Sequence, residues 1–186
     1  MNNRPVLSCR DRGMTALLLG FFAAAWFGWG HAAPTGRMEI WLDIGATVAL
    51  LVAGAGAFAA FRRPAATAVL RDRSSARRYA IIVGIEFGLA GVGAGILGGI
   101  AHAELIPVWV CAVVGIHFFP LAPVLRDRLL VPLGVLMTMV ALAALVLDLA
   151  TDIAASTVTG VGAGVLLLAY ATVALFKSVT GRRAAG

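Results

Sequence analysis

The sequence predicts an all-α polytopic membrane protein, a bundle of six transmembrane helices, and three observations carry that expectation. Apolar runs of the ~20 residues needed to cross a ~30 Å hydrocarbon core recur along the whole chain. Residues are 61% hydrophobic and only 13% charged, against about 45–50% and about 25% in soluble domains. When six spans are threaded in alternation, every Lys and Arg except Arg37 falls on one side. Basic residues in short loops mark the cytoplasmic side, so both termini are expected in the cytoplasm and residues 1–186 form a single transmembrane domain.

The first span is expected over about 14–29, after a tail with Arg4, Arg10 and Arg12. Its basic start and apolar middle, followed by Gly30-His31-Ala32, resemble a signal peptide, but the bulky Trp26 and Trp29 sit poorly beside a cleavage site. The second span covers about 40–61. A basic cytoplasmic loop, 62–78, then holds Arg62, Arg63, Arg71, Arg73, Arg77 and Arg78. The third and fourth spans, about 79–100 and 105–125, form a hairpin across the short link AHAE. Arg126-Asp127-Arg128 leads to a fifth span over about 129–148, and a tight turn leads to a sixth over about 154–176. Trp26, Trp29, Trp41 and Trp109 all fall at outer span ends, where amphipathic rings anchor at the headgroups.

Glycines set the expected packing. In lipid, helices associate where small residues let backbones approach. The third span carries Gly84, Gly88, Gly91, Gly95 and Gly99 at helical spacing, and the sixth carries Gly160 and Gly164. This stripe predicts a central place for the third helix. GVGAGIL at 91–97 returns as GVGAGVL at 160–166, in spans of opposite direction, as an inverted three-plus-three repeat requires. Gly, Ala and Val are so common here that chance also accounts for the match.

The sharpest chemical signal is Glu86 in the third span and His117 in the fourth. Ionisable residues at membrane depth are costly and mark functional sites by default. Glu86 lies seven residues from the inner end of its span and His117 eight from the same face, so at 1.5 Å per residue both sit roughly 10–12 Å deep. Side-by-side packing of the hairpin would bring them together. Pro120 removes the amide that would bond the Ile116 carbonyl, and is expected to break the helix beside His117. One outcome is a proton or cation relay or a polar binding pocket. The other is a structural hydrogen bond between helices, with Glu86 protonated or paired to His117.

Residues Gly115-Ile116-His117-Phe118-Phe119-Pro120-Leu121-Ala122 resemble a G-x-H-F-x-P-L signature of small bacterial multi-span membrane proteins without an assigned activity. The resemblance covers mainly the 79–125 hairpin, implies a compact multi-span fold, and bears on His117 and Pro120 alone.

The outer rim gathers His31, Glu39, Asp43, His102, Glu104, Asp148 and Asp152. His102, Glu104 and Asp148 are weak metal candidates, since their types suit zinc but no recognised ligand spacing occurs. A solvated acidic rim is the expectation, with Asp152 capping the sixth helix. No P-loop, G-x-S-x-G or Cys-x-x-Cys occurs, so no cofactor is expected. The net charge of +6 is spread between apolar runs as topology determinants, which excludes nucleic acid as a partner. The expected partners are the lipid bilayer and, through spare glycine faces, a second copy or another membrane protein. The functional expectation is a small-solute or proton-coupled transporter or channel-like protein. A non-catalytic partner or assembly subunit is the alternative, and an intramembrane enzyme the third.

Overall fold

The structure, a computed structural model, describes residues 9–33, 36–62 and 73–180. Six helices account for them: α1 (Cys9–Gly30), α2 (Met38–Phe61), α3 (Arg73–Gly99), α4 (Ile106–Leu125), α5 (Leu130–Ala150) and α6 (Ala155–Thr180). A single 3-10 turn, Ala103–Leu105, precedes α4. All six are long and apolar enough to cross a membrane. α1, α2 and α3 start before the expected apolar runs, whereas α4, α5 and α6 start within one residue of them. The largest shift is in α3: Arg73, Arg77 and Arg78 belong to the helix and not to a loop. The rest of the expected basic loop, 63–72, lies outside the described residues.

Neighbouring helices run antiparallel, and small residues set their spacing. A Cβ on Gly13 or Gly20 of α1 would come within 2.9 Å of the α2 backbone at Ala60 and Ala53, and one on Gly56 within 2.6 Å of Leu17 N. On the other side of α1, Gly160 of α6 lies against Gly30, where a Cβ would come 2.5 Å from its nitrogen. Phe27 then fills a slot between Gly45 of α2 and Gly164 of α6. In α4 and α5, Gly115 and Gly134 approach each other's backbone, and the buried Cys111 thiol donates to the Met137 carbonyl at 3.4 Å. The hub of the molecule is therefore α1 with α6, not α3.

The expected central place of α3 is overturned. It packs chiefly on α4, and none of its membrane window is buried within the chain. Among the described residues, nothing lies within 4 Å of a Cβ built on Gly84, Gly88, Gly91, Gly95 or Gly99. The reason is visible at Gly93, off the stripe: the Trp109 indole occupies that position and donates Nε1–H to the Leu89 carbonyl at 2.9 Å. Gly93 lies about 200° around the helix from Gly91 and Gly95, so the side of α3 that packs on Trp109 turns the stripe away from α4. The motif shared by 91–97 and 160–166 sits in two different environments: Gly91 and Gly95 are open and only Gly93 is packed on α3, whereas Gly160, Gly162 and Gly164 are all closely packed on α6.

Two further expectations change. Trp26 is buried in the core, its ring 5.1 Å from that of Trp29, rather than anchored at a surface. At α4, Pro120 and Pro123 both lie inside a continuous helix, so Pro120 does not break it. Together they remove two backbone donors, and the helix ends two residues after the second.

Candidate functional site

Helix α3 turns Tyr79, Val83, Glu86 and Ala90 to one face, residues spaced by three and four along the chain. That face, α1 and α4 enclose a cleft of about 460 Å³, within the ~300–1,000 Å³ range of ligand pockets. On α1 it runs from Thr15 to Trp29, roughly 20 Å at 1.5 Å per residue. Its walls are aliphatic and aromatic, with Phe22, Phe87, Val114 and Leu121 among them. The cleft exists because α3 packs on Trp109 of α4 at one end and makes no close contact with α1.

Glu86 and His117 meet in this cleft. His117 Nδ1 and Glu86 Oε2 are 3.3 Å apart, with side chains only 8% and 15% exposed. The hairpin register that puts Trp109 against Gly93 carries these two side chains to the same level. Nδ1 is sealed from solvent yet has no aligned hydrogen-bond partner. The carboxylate is thus near enough to pair electrostatically but off the line of the ring nitrogen. Phe118 packs edge-on to the imidazole at 5.8 Å. An imidazole with one buried nitrogen lacking a partner has the capacity to take up a proton or to bond a polar group there. Pro120 lies one turn along from His117 on an exposed part of α4 and does not line the cleft.

The remaining candidates separate. His102 Nδ1 is 2.9 Å from Glu104 Oε1 on the exposed α3–α4 link. Asp148 is elsewhere: its Oδ1 accepts the Ala155 amide at 2.9 Å, which caps α6. The expected cap, Asp152, is replaced by Asp148 because the α5–α6 turn folds the last turn of α5 over the first amide of α6. This also explains a carboxylate at a helix C-terminus, where the macrodipole alone disfavours it. Among the described residues, no three His, Cys, Asp or Glu side chains come together as a metal set. A Cβ on any of the five stripe glycines of α3 meets no other described helix, whereas Gly160 and Gly164 lie in the tight contacts of α6 with Gly30 and Phe27.

Sequence reasoning missed three features. His31 bridges α1 and α2, with Nε2 3.1 Å from Asp43 and Nδ1 3.2 Å from the Phe27 carbonyl. The packing glycines Gly13, Gly20, Gly56, Gly115 and Gly134 do not form G-x-x-x-G pairs, although Gly13 and Gly20 share a heptad spacing that signals one face. Tyr170 donates to Asp127 across 43 residues, a contact with no local signal. Comparison with protein-family models, with curated proteins and with solved structures returned no match.

Proposed function

We propose that the chain is a multi-pass protein of the bacterial inner membrane, with both termini cytoplasmic, that carries a small solute or protons through the Glu86–His117 site. The observation that supports this most is the pair itself, 3.3 Å apart in a cleft, with His117 Nδ1 buried and unsatisfied. A purely structural pair would gain from full alignment, since an unmade buried hydrogen bond costs about 1–3 kcal/mol. The apolar walls favour a compact solute with one polar group, or the proton alone. Pro120, at the head of the proline-bearing end of α4, gives that segment fewer backbone bonds with which to resist movement. Purified protein in liposomes is expected to pass protons or a small solute, and Glu86→Gln to abolish flux while leaving the fold intact at a cost of about 1 kcal/mol. Flux that survives in Glu86→Gln contradicts the reading.

A second reading, a non-catalytic partner or assembly subunit, draws support from the unpartnered glycine face of α3. It would seat a second copy or another membrane helix there. In that case Gly88→Leu with Gly95→Leu disperses an assembly seen by cross-linking in native membranes and leaves the isolated chain folded. The intramembrane-enzyme reading has less behind it: Cys111 is engaged with the Met137 carbonyl and does not line the cleft.

A further inference from the structure

A second cavity, of about 290 Å³, opens at the end of the bundle where α1 begins, α4 passes to α5, and α6 ends. Arg12, Arg126, Arg128 and Lys177 line it, with Asp127 and Tyr170. Four cations around one carboxylate leave a positive excess, and that carboxylate pairs with none of them. Asp127 Oδ1 accepts the Leu129 amide at 3.0 Å and Oδ2 accepts the Tyr170 hydroxyl. Among the described residues, none of the four cations lies within ion-pair distance of a carboxylate. Arg12 instead donates Nη1–H to the Lys177 carbonyl at 3.0 Å, which fixes its guanidinium at the rim. Positive charge is therefore held together around this cavity, with the acid that lines it turned to neutral donors.

The backbone adds an independent sign. Asp127 N bonds the Ala122 carbonyl and Arg126 N that of Pro123, the Schellman ending of a helix, with Arg126 at φ 55°. Glycine suits this left-handed position, and an L side chain there costs about 1–2 kcal/mol. Arg126 shares this conformation with Ala101 just after α3, and here the position projects an exposed guanidinium at the cavity.

We propose that this cavity binds the phosphate of an anionic phospholipid headgroup. Basic pockets between membrane helices recognise such headgroups, and guanidinium groups match phosphate oxygens in paired geometry. The phosphate chemistry alone would equally suit free phosphate. Continuity with the apolar cleft favours the lipid: Thr15 lines both cavities, so a headgroup held by the arginines has an apolar groove beside it for an acyl chain. The inference does not rest on the role given to Glu86 and His117.

The test uses the full-length protein in detergent, offered phosphatidylglycerol or phosphatidylcholine, with retained lipid read by native mass spectrometry. Phosphatidylglycerol is expected to be retained over phosphatidylcholine, less so at high salt, and not to be displaced by millimolar inorganic phosphate. Arg126→Gly is the decisive variant. It relieves the backbone, so Tm rises, while retention falls about fivefold for the charge removed. Arg128→Gln, an exposed change, is expected to fall similarly, and Arg37→Gln at the other end not at all. Equal retention in wild type and Arg126→Gly overturns the site. Arginine-dependent binding of inorganic phosphate without preference for phosphatidylglycerol overturns the lipid and makes it a free-phosphate site.

Discussion

At the scale of single residues, Glu86 and His117 belong to one unit. Residues in direct contact couple, and interhelical polar pairs in membranes contribute about 0.6 to 1.7 kcal/mol. A double-mutant cycle of Glu86→Gln and His117→Asn is expected to show about 1 kcal/mol of coupling in unfolding measured in mild detergent. Additive effects would mean that the 3.3 Å approach contributes nothing. At the rim, Asp148→Ala should cost about 1 kcal/mol through loss of the α6 cap, whereas Asp152→Ala should be nearly silent, as thermal unfolding of each would show. The level of Glu86 and His117 was legible because depth in a membrane is a count of residues from a charged end. The choice between Asp148 and Asp152 was not legible. Both flank the same turn, and which one reaches the Ala155 amide is set by how α5 meets α6.

At the scale of helices, glycine means different things on α3 and α6. A Cβ on Gly160 would meet the Gly30 backbone at 2.5 Å, while one on Gly95 meets nothing described. Gly160→Ala is therefore expected to destabilise by about 1–3 kcal/mol through overpacking. Gly95→Ala should stabilise by up to about 1 kcal/mol through lower backbone entropy. Thermal unfolding of the two variants side by side checks both signs, and destabilisation by Gly95→Ala would reveal a partner on α3. The existence of all six helices could be read from the sequence, because length and apolarity are properties of single segments. Which helix sits in the middle could not. A glycine stripe states only that a backbone can be approached, and here α4 packs through Trp109 on the opposite side of α3, at Gly93.

At the scale of the whole molecule, alternating helices gather the basic ends of α1, α4–α5 and α6 at one pole and leave Arg37 at the other. Arg12 on the Lys177 carbonyl and Tyr170 on Asp127 tie that pole together. With Cys9 and Cys111 replaced by serine, single cysteines at Arg128 and Asp152 are expected to react with an impermeant maleimide from opposite sides of the membrane. Labelling of both from one side would contradict the six-span threading. Across this frame the cleft runs roughly 20 Å along α1, with Glu86 and His117 as its one close acid–base contact. The most direct measurement of that contact is infrared spectroscopy of the protein in lipid. The Glu86 carboxyl band is identified by its loss in Glu86→Gln, and should shift in frequency when His117→Phe removes the ring. A Glu86 band at the same frequency with and without the imidazole would contradict the pairing, and with it the site.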